Sequence, residues 1–296
     1  MYKKIIFSVF LIAGMKAGYS QHLPQYSQYF FNEFAINPAV AGTAKTGEAR
    51  STHRNQWAGI TDAPRTFVLS AHGRIAEKNM GLGGNVFTDI TGPTRRVGAN
   101  FSYSYHLQLT ENTKLAMGLS AGILQFGIDA SKIQLRDPGD LSYGSNIQSA
   151  TVPDFGAGLY LYNDKYFVGA SAPQLYQSEL KIFSEDSRSR LQNHYFVMAG
   201  YKLDLSDEFV LQPMVMVKHV KPVPVQIDLT ARVIYQEKMW VGLTYRTHDA
   251  ISSMIGFNYQ EQLMFGYAFD YAVSGLQKYS SGTHELMLGV RFSSRK

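Results

Sequence analysis

Cysteine is absent from the 296 residues, and charged residues are scarce at 17%. The lack of cysteine excludes a disulfide scaffold, a cysteine-ligated zinc or iron–sulfur site and a thiol nucleophile. A soluble globular domain carries roughly 25% charged residues, so the deficit argues against an ordinary soluble surface. Tryptophan is also rare, with two residues, whereas the chain has 19 Tyr, 18 Phe and 26 Gly. That mixture is typical of twisted strands and membrane interfaces.

The excess of positive charge is small and is concentrated at the start of the chain. Of the 28 basic residues, Lys3, Lys4 and Lys16 lie in the first 20 positions, which leaves 25 basic against 23 acidic residues. A net charge of +2 over the remaining chain gives no argument for binding phosphate, so we predict no nucleic-acid partner.

Residues 1–20 predict a cleaved signal peptide. Lys3 and Lys4 precede an apolar stretch from Ile5 to Gly14, and Gly18 and Ser20 are small residues that suit a cut before Gln21. The alternative, a short membrane anchor, needs about 20 apolar residues to span the bilayer. No later segment is that long without charges. The predicted product is therefore exported, either as a soluble protein outside the cytoplasm or as a β-barrel.

From about Glu48 onward, segments of about ten residues repeatedly alternate apolar with small or polar residues. In residues 114–123, for example, Leu115, Met117 and Leu119 share one face, opposite Gly118 and Ser120. Such alternation predicts half-buried strands. The predicted strands are 48–57, 65–75, 79–89, 95–109, 112–126, 154–162, 165–172, 193–205, 208–218, 223–235, 238–247, 250–260, 262–272 and 283–292.

Fourteen is an even number, as bacterial outer-membrane barrels require, and loop length gives an independent test. The predicted connections after even-numbered strands are all brief, whereas every long one follows an odd-numbered strand. Outer-membrane barrels have short periplasmic turns and longer extracellular loops, and a soluble sandwich has no reason to separate loop lengths in this way. We predict an all-β fold, a transmembrane antiparallel β-barrel of about 14 strands with an N-terminal plug-like segment.

Two motifs after the predicted cleavage site resemble a known family. Residues 25–32 read QYSQYFFN and residues 36–42 read INPAVAG, and Arg54, Gln56 and Trp57 form an RxQW element. Together they resemble the PorP/SprF family, outer-membrane barrel proteins associated with type IX secretion and gliding motility in Bacteroidetes. The residues that carry the N-terminal part of the resemblance are Tyr26, Phe30, Asn32, Asn37, Pro38, Ala39 and Gly42. Glu33 departs from the family pattern, in which proline is more frequent after the first asparagine.

The chain is predicted to comprise the signal peptide, an N-terminal segment at 21–47 and a barrel at 48–296. Aromatic side chains of the segment are costly in water, at about 25 cal/mol per Å² of apolar surface. We therefore expect the segment to pack as a plug in the lumen or at the periplasmic mouth. It also looks like the hatch of fatty-acid transporter barrels, which contains an Asn-Pro-Ala element. The alternative is a periplasmic strap.

Five charged residues lie on faces predicted to point inward: Asp228, Arg232, Arg246, Asp270 and Arg291. Buried charges need partners or water, so these side chains are expected to fill or line the lumen. The external charges at Arg95, Arg96, Arg188 and Arg190 are interpreted as a solvated rim, with lipid or partner contact as the alternative.

No catalytic site, metal site or cofactor is predicted. His53, His72 and His106 fall in separate strands without the spacing of metal ligands, and His284 and Glu285 are adjacent in a strand and so point to opposite faces. The glycines at 81–84 lack the Lys-Ser/Thr and the strand-to-helix context of a phosphate loop.

The leading hypothesis is a non-enzymatic outer-membrane barrel. The family resemblance implies that it helps to secrete or anchor a surface protein of the adhesin or gliding type, in contact with type IX secretion components and outer-membrane lipid. A channel for small or hydrophobic solutes is the alternative. A rim enzyme acting on lipid is a third class, against which the missing Ser/His/acid group argues.

Overall fold

The computed structural model describes residues 25–44, 46–75, 78–133, 147–180, 182 and 189–292. The predicted signal peptide lies outside these residues. Within them fourteen strands build one barrel and are named β1 to β14 in chain order. They are Gly47–Asn55, Arg65–Arg74, Met80–Thr91, Thr94–Gln108, Lys114–Asp129, Ile147–Tyr162, Tyr166–Ala172, His194–Tyr201, Phe209–Val220, Gln226–Tyr235, Met239–Arg246, Ala250–Tyr259, Leu263–Ala272 and Thr283–Phe292.

The sheet closes on itself, which confirms the predicted fold class. Each strand pairs antiparallel with the next, and β1 pairs with β14 from Gly47 opposite Phe292 to Asn55 opposite His284. Closure leaves no unpaired edge. It also satisfies the backbone polar groups that lipid cannot bind.

The other elements of the described chain are short. Two-residue strands pair Glu179–Leu180 with Ser189–Arg190, and Leu203–Asp204 pairs with β9. The 3₁₀ helices are Tyr29–Phe31, Glu33–Ala35, Pro38–Val40, Ala130–Lys132 and Gly275–Lys278. No helix in the described part of the chain combines the length and apolar character needed to cross a membrane.

Strands β5 and β6 are longer than the alternation predicts. They run to Asp129 and from Ile147, whereas the sequence predicts an end at 126 and a start at 154. The reason is a tertiary contact. Leu180 and Leu191, from the connection after β7, bury Leu124 and Phe126 at the end of the predicted β5 and Val152 in the extension of β6.

Alternation separates the two faces of the barrel wall. Large apolar side chains such as Phe101, Leu119 and Leu243 are about 60% exposed on the outer face, whereas Ser104, Ala116 and Met287 are buried on the inner face. Ten residues at about 3.3 Å each, tilted about 40°, rise about 25 Å. That height matches the apolar band of an outer membrane.

Loop lengths orient the barrel. Brief turns such as 163–165, 236–238 and 260–262 join the strands at one end. The long connections, which follow β1, β5, β7 and β13, leave the sheet at the other end. We assign the end with the long connections to the cell exterior.

Cysteine labelling tests this orientation. We expect Thr61→Cys and Gly275→Cys to react with a membrane-impermeant maleimide on intact cells, because both lie in external connections. Ser206→Cys and Asp164→Cys, in short turns, should react only after the outer membrane is permeabilised. The chain has no cysteine of its own, so the wild type is an unlabelled control, and the opposite pattern would invert the barrel.

Candidate functional site

Residues 25–44, called here the lumen segment, lie inside the barrel. The segment folds as three single 3₁₀ turns, a compact form that exposes little backbone. Asn37 fixes the last turn: its Oδ1 accepts a hydrogen bond from the Ala39 N–H at 3.0 Å, and Pro38 supplies a helical φ at the first position. The Asn37 Nδ2 donates to the Leu159 carbonyl of β6 at 3.1 Å. One side chain therefore shapes the turn and ties it to the wall.

The aromatic residues of the lumen segment form the core of the barrel. Tyr29, Phe30, Phe31 and Phe34 are buried. Phe31 packs on Trp240 of β11 with ring centroids 4.3 Å apart. They share one hydrophobic cluster with inward methionines of the wall, at Met198, Met214, Met216, Met254 and Met287. Methionine is unbranched and adapts to irregular ring surfaces, so it suits this filling.

Four inward glycines leave room for the lumen segment. A Cβ at Gly158 would lie 2.0 Å from the Asn37 Oδ1, and one at Gly118 would lie 2.2 Å from the Ala39 nitrogen. Gly81 and Gly266 are equally close to Ala41 and Gln28. Real Cβ atoms do not approach other atoms this closely, so the wall is shaped to the segment at these positions.

At its C-terminal end the segment is held through one backbone carbonyl, that of Ala41. The Ala41 carbonyl accepts hydrogen bonds from the Ser104 hydroxyl at 2.5 Å and from His106 Nε2 at 2.9 Å. Because a carbonyl can only accept, Nε2 carries the proton, and Nδ1 then accepts from Tyr162 at 2.9 Å. Ser104 and His106 are thereby used structurally.

At its N-terminal end the segment enters a buried ion cluster. Arg54 of β1 donates to Asp270 at 2.8 Å and to Glu285 at 3.1 Å. Ser27 Oγ lies 2.7 Å from the same guanidinium and 2.6 Å from Asp270. The Ser27 and Gln28 backbone N–H groups donate to the two oxygens of Glu285 at 2.7 and 2.8 Å.

Arg246 extends the cluster across neighbouring strands. Its guanidinium lies 3.5 Å from Asp270, 3.4 Å from Asp228 and 3.2 Å from Asp249, and Lys218 reaches Asp228 at 2.7 Å. Each buried charge in this cluster has a partner of opposite sign. Three cations and four anions are thus linked in one continuous network of ion pairs.

The structure unites three of the five predicted lumen charges. Asp228, Arg246 and Asp270 meet in the cluster. Arg232 lies elsewhere, with its guanidinium carbon 4.8 and 4.7 Å from the Phe30 and Phe31 ring centroids, and Arg291 pairs with Glu48 at 3.2 Å.

The remaining motif residues have mixed roles. Gly42 adopts a φ of +74°, and a Cβ there would lie 2.7 Å from Gly81 Cα. Asn32 accepts from Ser70 at 2.9 Å, and the Tyr26 carbonyl lies 3.5 Å from Arg246. Of the RxQW element only Arg54 joins the cluster. Gln56 and Trp57 turn the chain after β1 through backbone N–H groups that donate to Pro64 and to the Thr283 hydroxyl.

Sequence reasoning missed Ser27, Lys218 and Glu285. The signal for Glu285 was present, because alternation in β14 puts it on the same face as Gly289 and Arg291. Ser27 has no such signal, since the lumen segment has no regular period.

Glu33 lies beside the rings and is itself partly buried. Burial raises the pKa of Glu33, which lies outside the membrane-spanning strands, to about 7. A hydrogen bond from the Tyr160 hydroxyl at 2.6 Å and the charges of Arg50 and Arg232 oppose that rise. Glu33 is thus partly protonated near neutral pH, which lowers the cost of a carboxyl group at this place.

Comparison of the sequence with protein families identifies the family of this barrel. The model for "Type IX secretion system membrane protein PorP/SprF" matches residues 18–290. The chain belongs to the PorP/SprF family. It is accordingly an outer-membrane barrel protein of type IX secretion. None of the curated proteins matches the chain significantly.

Two solved structures share the fold of this PorP/SprF protein. A Pseudomonas aeruginosa FadL homologue is 11% identical, with a TM-score of 0.52, over 92% of this chain and 95% of that one. The CymD monoaromatic hydrocarbon channel is 13% identical, with a TM-score of 0.53, over 94% and 96%. At such identities the likeness concerns the barrel fold alone.

Removing Arg54 tests the ion cluster. Arg54→Gln leaves Asp270 and Glu285 buried with fewer positive partners, a change that costs about 3–5 kcal/mol in comparable buried pairs. We expect the variant to unfold at a lower temperature than the wild type in detergent. We also expect chymotrypsin to cut its lumen segment between Tyr29 and Phe34.

Arg190→Gln is the matched control. It removes a guanidinium from an exposed ion pair with Glu179, and such pairs contribute about 0–1 kcal/mol. If both variants had the unfolding temperature and the chymotrypsin resistance of the wild type, the cluster would not hold the segment.

Proposed function

We propose that this PorP/SprF protein acts without catalysis, as a partner or anchor for one or a few surface proteins that the type IX system exports. The observation that supports this proposal is the filled lumen. A barrel whose interior is occupied by its own chain presents its two rims, rather than a pore, to other molecules.

Packing supports the view of the lumen segment as a plug. The segment is held at one end by the ion cluster, at the other by Ser104 and His106, and between them by glycines that fit no side chain. Beside Phe34 and Asn37, a cavity of about 40 Å³ is lined by polar residues that include Asn100 and Asp154. That volume has room for a few water molecules and is far below the roughly 300–1,000 Å³ of a typical ligand pocket.

Family membership supports the choice of partners. A type IX secretion protein works beside other components of that system, and the rims carry the exposed connections that such contacts require. The family is not a known enzyme class. Among the described residues no group of three or more His, Asp or Glu could hold a metal ion.

A channel is the second candidate, and the fold likeness to the hydrocarbon channel CymD favours it. Conduction through this barrel requires the lumen segment to move aside. The two proposals therefore differ in one measurable property, the resting conductance.

Planar-bilayer recording separates them. We expect the wild-type protein to show no steady conductance, and Gly118→Val/Gly158→Val to conduct because the added side chains overlap Ala39 and Asn37. Gly127→Val is the control, since a Cβ there meets its nearest atom at 3.6 Å. Heat-resistant migration in gels must show that all three are folded. Steady wild-type conductance would favour the channel.

A gene deletion tests the secretion role. We expect loss of the protein to remove one or a few proteins from the cell surface while total type IX export continues. Quantitative proteomics of the surface and the medium measures this effect. An unchanged surface proteome would contradict the partner role, and a complete block of export would indicate a core component of the apparatus.

A further inference from the structure

Two arginines stand apart on the outer face of the barrel. Arg65 begins β2 and Arg95 lies near the start of β4; both are exposed and both lie at the end assigned to the exterior. Each pairs in register with Ile90 of β3. Their Cα atoms are therefore about two strand spacings, or about 10 Å, apart.

Alternation directs both side chains toward the membrane side of the wall. Arg65 shares its face with Phe67 and Leu69, which are exposed, while Thr66 and Val68 between them are buried. Arg96, the neighbour of Arg95, lies on the opposite face. Among the described residues neither Arg65 nor Arg95 makes an ion pair, and the nearby Asp62 pairs with neither.

This pair is unusual for its position in the barrel. At the same end, the outer face of other strands carries tyrosines, at Tyr195, Tyr245 and Tyr271, which suit a headgroup boundary. Toward the periplasmic end of β4 the outer face carries Tyr103 and Tyr105. The two guanidiniums therefore bring positive charge to one leaflet.

An apolar groove of about 470 Å³ lies below the pair on the same strands. Its floor is made by small residues, Ala71, Gly84, Ala99 and Ala121, and its sides by Leu69, Val86 and Phe101. In β2 the groove begins at Leu69, four residues below Arg65. That is about 13 Å along the strand, so the groove lies at the depth of the acyl chains when the two arginines lie at the headgroups.

We propose that Arg65, Arg95 and this groove form a binding site for lipid A, the phosphorylated anchor of lipopolysaccharide in the outer leaflet. Both guanidiniums reach one phosphate from either side of Ile90, and an acyl chain lies in the groove. Arginine suits this role because its planar fork binds phosphate through two hydrogen bonds. The site does not depend on the secretion role proposed above.

The test uses the full-length protein in detergent, with monophosphoryl lipid A as the probe and native mass spectrometry as the readout. We expect Arg65→Gln/Arg95→Gln to lower lipid A binding about tenfold or more, since a charge-assisted hydrogen bond is worth roughly 1.5–3 kcal/mol. Ala99→Leu, which fills the groove, should also weaken binding. Lys278→Gln and Ala170→Leu, an exposed external lysine and an outer-face alanine on β7, should bind like the wild type.

Comparison lipids identify the source of the phosphate. The wild type should bind the dephosphorylated form of the same lipid A only weakly. Its affinity for that form should equal the affinity of the double variant for intact lipid A. Equal binding of lipid A by the double variant and the wild type would overturn the proposal. Equal affinity of the wild type for phosphatidylglycerol would also overturn it, because it would indicate a general anionic-lipid surface. A wild-type dimer that Ala99→Leu abolishes would overturn it too, because it would assign the groove to a second copy of the chain.

Discussion

The buried guanidinium of Arg54 is the interaction on which the interior of this barrel depends. It lies on β1 and joins β13, β14 and the lumen segment through Asp270, Glu285 and Ser27. Because these groups are withdrawn from water, each is stable only while its partners stay in place. The same contacts that neutralise the charges therefore fix the start of the lumen segment, and barrel closure at β1 and β14 brings the partners together.

The remainder of the interior is a problem of shape. A closed fourteen-strand sheet encloses more volume than inward side chains of modest size can fill, and this wall carries glycine, serine and alanine where the segment passes. Tyr29, Phe31 and Phe34 supply the missing volume, and methionines close the gaps around them. The segment and the wall are thus complementary, and neither is well packed without the other.

The composition of the outer surface has a different cause, because this surface is surrounded by lipid. Apolar residues face the acyl chains, tyrosines mark the boundary, and charges are expected only where something compensates them. Arg65 and Arg95 break the pattern at the end assigned to the exterior. The two faces of one strand, such as β2, therefore contact different partners: the inner face packs on the lumen segment and the outer face contacts the membrane.

Much of this arrangement is determined by the sequence itself. Period-two alternation predicts fourteen strands because a strand with one lipid face must alternate. The parity of loop lengths is a separate signal, and the assigned orientation rests on it. Alternation also places Asp228, Arg246 and Asp270 on inward faces, and the motif residues indicate the family. What alternation does not give is which inward groups meet, because that depends on strand tilt, register and closure. Only the tertiary structure joins Arg54 to Glu285 across 231 residues of chain, separates Arg232 and Arg291 from the cluster, and lengthens β5 and β6 beneath Leu180 and Leu191. The lumen segment has no period of its own, so its path is decided by the wall that surrounds it.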